Sequence, residues 1–368
     1  MLKPAFVYFS LLLICLSCNK QNKGNLAEES LTDFRQIAVD STQQSAEEAY
    51  VDPFEGLNID AQLMLVLRHV FQDKQENFWF VGDNVFLYNR DSLFKLDDIG
   101  LFDKLATRVV EEDQEGNIWI GSSEGVFKFD PTTSPNIGPE SFHNFSEEEG
   151  MLGHDVWCLK ADSKGRLWVG TMEGLSYFDG KNFTHFPLPE AEVDSNRGMS
   201  SANIVHSITE DRKGRMWFGT NGGAYVYDGK DLLNISVKDG LCHNAVNDIE
   251  EDEEGNIWFA THYQGVCRWD GKTFTSITDG LGLDEIECWF LFKDNAGNIW
   301  FPIEHKGVYR YDGQSLQNFH KAEGFPMNGV FSMIEDQEGN YWLSGFGGLY
   351  RYDGTAFLNF NKNSSWDF

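Results

Sequence analysis

From about residue 62 onward the chain alternates short apolar runs with polar turns, and the runs recur on a fixed ruler. A tryptophan follows a tight acidic turn and opens such a run seven times: Trp79, Trp119, Trp168, Trp217, Trp258, Trp300 and Trp342. The spacings are 40, 49, 49, 41, 42 and 42 residues, the period of one propeller blade. The clearest copies read Asp113-Gln-Glu-Gly-Asn-Ile-Trp119, Asp252-Glu-Glu-Gly-Asn-Ile-Trp258 and Asp336-Gln-Glu-Gly-Asn-Tyr-Trp342.

Each copy reads as four strands. An apolar segment precedes the Asp, as in Ile204-Val205-His206-Ser207-Ile208. In the Asp-x-x-Gly turn the Asp is expected to accept backbone N–H bonds and the Gly to supply the positive φ that returns the chain to the ladder. The tryptophan strand is aromatic and β-branched, which suits a buried pleated surface. A third strand ends in aromatic-Asp-Gly at Asp179, Asp228, Asp270, Asp312 and Asp353, a strong hairpin signal. Large apolar residues after that turn mark a fourth strand, as in Phe183/Phe186, Phe274/Ile277 and Phe357/Phe360. Blade 1 is worn: Glu76 stands where the turn glycine is due, and Tyr88-Asn89-Arg90 replaces aromatic-Asp-Gly. Insertions are expected at about Pro131 to Ser141 and Pro187 to Ser201. Period, turn chemistry and strand length agree on an all-β fold, a seven-bladed β-propeller of four-stranded antiparallel blades over residues 54–368.

The pattern Asp-x-x-Gly-Asn-Ile-Trp-Ile/Phe-Gly-Thr, then Gly-Val, then Tyr-Asp-Gly, resembles the repeats of two-component regulator propellers. Those are best known as periplasmic sensor domains of bacterial hybrid histidine kinases, many of which detect oligosaccharides. The resemblance covers all seven copies and is strongest in blades 2 to 7. No transmembrane helix, kinase, receiver or DNA-binding module follows the last blade, so the expectation is a member that cannot signal alone.

The N-terminus has Lys3, an apolar run from Phe6 to Leu16, and Ser17-Cys18. This reads as a secretory signal over residues 1–17, too short for a stable span. Its Leu-Ser-Cys end resembles a bacterial lipobox, implying lipidation of Cys18, although Cys15 is an imperfect match three residues before it. Lipid there would anchor the protein without spanning, placing it in the cell envelope, at the outer membrane by preference. Residues 18–53 are polar and lack the repeat, as a tether would. Within them Phe34-Arg-Gln-Ile37 copies the spacing of a fourth strand and could close the ring, but Phe357 to Phe360 already supplies blade 7, so an accidental match is favoured. Of six cysteines, Cys15 and Cys18 belong to the signal segment; the remaining four, Cys158, Cys242, Cys267 and Cys288, form no CxxC pair, so no zinc site is indicated. Cys158 and Cys288 read as buried small hydrophobes in first strands. Cys242 and Cys267 lie in one blade, and an oxidising compartment would permit a bridge. The balance of 29 basic against 58 acidic residues, a formal charge of −29, argues against nucleic acid and anionic polymers as partners.

Both repeated turns fall on one face of a propeller, leaving the opposite face to loops that differ between blades. Counting five residues back from each turn Asp gives Arg68, Arg108, Trp157, His206, Asn247, Trp289 and Phe331. Two residues later the positions are uniformly apolar, from Val70 to Met333. A position that only packs would look alike in seven similar blades. The mixed set offers stacking rings and forked donors, the inventory of a carbohydrate or other small polar ligand site; filling of the channel by these side chains is the alternative. His262, Tyr263 and His305, from loops after the tryptophan strands, are added to the candidate site. His243, His262, Glu304 and His305 span adjacent blades, but their spacing matches no metal-ligand pattern, and no cofactor is expected. The expected role is non-catalytic binding of a small ligand or an envelope protein. A metal-assisted lyase, as in the streptogramin lyase propellers that use His and Glu, is the enzyme alternative.

Overall fold

In a computed structural model, the described residues are 62–102, 104–132, 137–146, 149–194, 199, 201–279, 281–283, 286–320, 325, 327, 329–361 and 363–364. They form seven four-stranded antiparallel sheets, each made of four strands consecutive in sequence. Blade 1 runs from its first strand, Leu67–Gln72, to its fourth, Leu93–Lys95, and blade 7 from Val330–Glu335 to Phe357–Phe360. The first strands pack on one another around the ring, and that of blade 7 packs on that of blade 1, so they line the axis. The insertion in blade 2 lies between strands ending at Phe129 and starting at Phe142. The signal, Cys18, the tether and Phe34 to Ile37 lie outside the described residues.

The Asp-x-x-Gly turn does what its sequence promised and one thing more. In blade 5, Asp252 Oδ1 accepts the backbone N–H of Glu254 and Asn256 at 3.1 and 2.8 Å. Its Oδ2 accepts the indole Nε1–H of Trp258 at 2.8 Å. The same indole bond, 2.7 to 2.9 Å long, occurs in every blade. Each tryptophan is at most 2% exposed, so its only polar atom is satisfied by a charged acceptor. The ring of each indole belongs to the next blade: Trp79 packs with Val110, Ile120 and Phe127 of blade 2, and Trp342 with Val70, Phe80 and Phe86 of blade 1. Seven such inter-blade cores make the closed ring. The blades meet closely: a Cβ on Gly121 would lie 2.7 Å from side-chain carbons of both Val109 and Val156, the latter on the next blade.

Closure needs no shared strand. Gly125, Gly223 and Gly265, after their tryptophan strands, donate to the chain leading into the following blade at His154, Asn244 and Ile286. Gly347 of blade 7 donates in the same way to Leu65, at 2.9 Å, just ahead of blade 1. Val66 bridges Phe346, and Gln62 exchanges amide hydrogen bonds with Asn359.

Part of the acidic surplus joins blades. A glutamate immediately before the turn Asp accepts the first backbone N–H of the preceding blade's turn: Lys74 to Glu112, Ser163 to Glu210, Arg212 to Glu251 and Asn295 to Glu335, at 2.6 to 2.8 Å. The worn blade 1 keeps the turn geometry without the glycines. Glu76 holds a φ of 67° where the other blades have Gly, and Arg90 a φ of 68° where blades 3 to 7 have Gly, and their side chains pair at 2.8 Å. Arg90 also reaches Glu338 of blade 7 at 3.7 Å.

A left-handed backbone costs a residue with a Cβ about 1–2 kcal/mol, whereas an exposed ion pair is worth about 0–1 kcal/mol. Glu76→Gly is therefore expected to raise unfolding stability by up to about 1 kcal/mol. Urea denaturation checks this, and a loss of stability would mean that the pairing with Arg90 outweighs the strain.

Candidate functional site

The ring of dissimilar residues has a backbone cause. In blades 1, 2, 3, 4, 5 and 7 the register between first and second strands shifts at one place, for instance between Leu67 and His69 and between Val205 and Ser207. The residue skipped in each is the one counted five back from the Asp: Arg68, Arg108, Trp157, His206, Asn247 and Phe331. A bulged residue has no cross-strand partner, so its side chain leaves the ladder's packing and turns elsewhere. Blade 6 departs further. Its first strand is only Phe292–Lys293, and both Trp289 and Cys288 precede it, which corrects the expected placing of Cys288 within a strand. Blade 5 side chains reach its backbone: Asn247 Nδ2 donates to Cys288 O at 2.8 Å, and Asp248 Oδ2 accepts from Leu291 N at 2.8 Å.

Around one arc the ring residues touch in sequence. Arg108, buried, donates through Nη1 to Asp155 Oδ1 and to Val156 O, and its guanidinium lies 5.2 Å from the centre of the Trp157 ring. Trp157 meets His206 edge to face at 5.8 Å. His206 Nε2 is 2.8 Å from Asn221 Oδ1, while Asn221 Nδ2 donates to Ser201 O. That arrangement makes Nε2–H the donor. Burial holds the His206 pKa down to about 4, so the ring is neutral at physiological pH. Arg68 lies beside Arg108; burial first, then that neighbouring charge, lower its pKa to about 10, with Asp83 and Asp155 opposing.

The second arc holds a feature the sequence reading missed. His262 Nδ1 is 2.5 Å from Glu287 Oε1, and its ring packs edge to face on Tyr263 and Trp289 at 4.3 and 5.2 Å. Glu304 donates its backbone N–H to Glu287 O at 3.2 Å, the two carboxyl groups lie near enough for each to shift the other, and His305 stands 3.7 Å from Glu304. Burial lifts both carboxyls well above the ordinary range, and the charge of Glu287 lifts Glu304 further, so the pair holds a proton near neutrality. Glu287 sits in an irregular approach to a strand with no repeat-based ruler, so only the structure brings it to Glu304.

The candidate residues are thus divided. Arg68, Trp157, His206, Trp289 and Phe331 are half-buried and His305 is exposed, while Arg108, Asn247, His262 and Tyr263 are buried and act through neighbours. Phe331 packs on Phe346 at 4.8 Å. Among the described residues, no three His, Cys, Asp or Glu side chains gather as metal ligands. A polar cavity of about 350 Å³ opens on the turn face, between Lys74, Glu111, Lys160, Ser163 and Glu210. Its charges are spent on one another, as in Lys160–Glu111 at 3.1 Å and Ser163–Glu210, so it offers less unmet chemistry than the axial ring.

Three blades match a family model, described as two component regulator propeller, at residues 150–173, 198–222 and 240–263. Each match starts ahead of a first strand and ends after the tryptophan strand, so each contains a bulged ring residue. The chain carries two component regulator propeller repeats. No curated protein matches the chain. Among solved structures it is similar to the extracellular domain of a hybrid two component system from B. thetaiotaomicron, at 19% identity and a TM-score of 0.63, over 80% of this chain and 41% of that one. The extracellular domain of a one component system from the same organism gives 18%, 0.62, 80% and 39%. Virginiamycin B lyase from Staphylococcus aureus gives 10%, 0.58, 77% and 93%. The chain therefore spans about two-fifths of the two regulator domains, and at these identities the likeness is one of fold.

The carboxyl pair gives a pH signature. The folded protein keeps protons that the unfolded chain releases near pH 4.5, so stability falls as pH rises from there through neutrality. Buried His206 and His69, both lowered to about 4, act oppositely, costing stability as pH falls below 6.5. Above pH 6.5 the slope belongs to the carboxyls, including Asp248, which burial raises to about 7. Glu304→Gln is expected to flatten the decline in Tm between about pH 6.5 and 8. An unchanged slope in thermal scans would mean that the pair carries no proton.

Proposed function

We propose that the protein is an extracytoplasmic, non-catalytic binding and sensing propeller that takes a small polar ligand, carbohydrate by preference, at the axis of its variable face. The observation that carries this is the bulge series. Six blades place a residue without a cross-strand partner at the same level of the axial strands, with side chains of five kinds, and the half-buried ones include an aromatic platform and a guanidinium. A carbohydrate offers apolar ring faces for Trp157 and Trp289 and hydroxyls for the polar members. The regulator repeats support a sensing role.

An extracytoplasmic setting is supported by the signal-like N-terminus and by a disulfide between Cys242 and Cys267, with Cα atoms 6.2 Å apart. On this reading Cys18 carries the lipid and the propeller stays in the envelope. A protein partner at the variable face has less support, since the exposed large apolar residues, such as Phe94 and Leu358, lie on fourth strands. An enzyme reading would draw on His262, Glu287 and Glu304, which are buried against one another.

Two measurements test these points. Trp157→Ala with Trp289→Ala is expected to weaken oligosaccharide binding at least tenfold, about 1.4 kcal/mol, in calorimetry, with the fold intact by circular dichroism. Unchanged affinity would remove the axial site. The disulfide closes a loop with a sequence separation of 25, so its loss through Cys242→Ser is expected to cost about 3 kcal/mol in urea unfolding. A variant as stable as the parent, with four titratable thiols in the denatured mature parent rather than the two of Cys158 and Cys288, would overturn the bridge.

A further inference from the structure

We propose that the axial site selects a sugar bearing a carboxylate, a uronic acid, and that Arg68 is the residue that recognises the acid. This rests on the reading of the ring as a carbohydrate site and names the class of sugar.

The two guanidinium groups of the ring are in different situations. Arg108 is committed: it is buried, bonded to Asp155 and Val156 O, and stacked near Trp157. Arg68 has no hydrogen bond and no ion pair with any described residue. It is nevertheless half-withdrawn from water, on a bulge that frees it from the ladder. A planar fork of five donors held in partial burial without an acceptor is unfavourable by itself, and a carboxylate is the group that matches it with two parallel hydrogen bonds. Surface glutamates and aspartates are plentiful in this chain, yet none closes on Arg68; Asp83 acts on it only from beyond ion-pair range.

The surroundings define how much negative charge fits. Arg108 and Asp155 cancel, and His206 is neutral, so Arg68 is the one cation of this arc with no ion-pair partner among the described residues. Asp83 and the net charge of −29 oppose a polyanionic chain or a dianionic phosphate ester more than they oppose a single carboxylate. Trp157, half-exposed next to Arg108, supplies the flat apolar surface on which a pyranose ring would lie.

The test is calorimetry of the mature protein with a galactotriose carrying a single galacturonate residue, neutral galactotriose and galactotriose bearing a single 6-phosphate, repeated with Arg68→Met, Arg68→Lys and Trp157→Ala. Wild type is expected to bind the uronate at least tenfold more tightly than the neutral sugar and the phosphate. Arg68→Met should erase that preference, and Arg68→Lys, which keeps charge and loses the fork, should retain only part of it. A preference that survives Arg68→Met, or a wild type that prefers galactotriose or the phosphate, overturns the assignment. In those cases a loss of binding in Trp157→Ala leaves the carbohydrate site standing, whereas binding of none of the three sugars by wild type overturns both. Near-UV circular dichroism shows that each variant is folded.

Discussion

The bond from each indole N–H to its own turn aspartate is what the rest of the molecule depends on. It fixes the tryptophan from behind, through a charged acceptor that is also clamped by the turn's backbone, while the ring is thrust into the neighbouring blade. Local hairpin and long-range blade contact are thereby one structure. A hairpin that folds correctly already presents the side chain that will seat the next blade. In four blades a cation from the third strand of the same blade stands over the indole, such as Arg268 over Trp258 at 5.8 Å, and in blades 3 and 4 the turn residues Arg166 and Arg215 do so.

Much of this architecture was legible in the sequence because its signals are local and repeated. The Asp-x-x-Gly turn, the aromatic-Asp-Gly turn and the tryptophan spacing each act over a few residues, and seven copies average out the worn one. What lay between blades was harder to see. The glutamates that hold the preceding turn carry no signal of that contact, since nothing in a single copy shows that Glu251 reaches Arg212 about 40 residues earlier. The ring of variable positions was found by counting, but its cause, an extra residue in the strand, leaves no mark in composition. Glu287 was missed for a related reason: it lies where blade 6 abandons the regular first strand, and no repeat position points to it. The pairing of Cys242 with Cys267 was permitted by their shared blade and fixed only by the fold.

The two faces divide the labour of the chain. On the turn face, charges are consumed in holding blade to blade, and even the open cavity there is lined by groups already paired. On the other face, irregularity concentrates: the short first strand of blade 6, the buried carboxyl pair and the free guanidinium all occur within a few positions of the axis. Departures from an otherwise strict repeat gather where a ligand would be met, the pattern expected when a rigid scaffold bears a site.

The bulge has a consequence for how such a protein changes over time. A residue in the ladder answers to a partner opposite and to a blade alongside, so replacing it disturbs both. The bulged residue has no partner opposite, and its dealings are with its neighbours in the ring. Six positions can therefore be rewritten with no cross-strand partner to disturb, from arginine to tryptophan to asparagine, while the turns, indoles and inter-blade cores go on assembling the same wheel. A new specificity can then arise without first passing through an unstable protein.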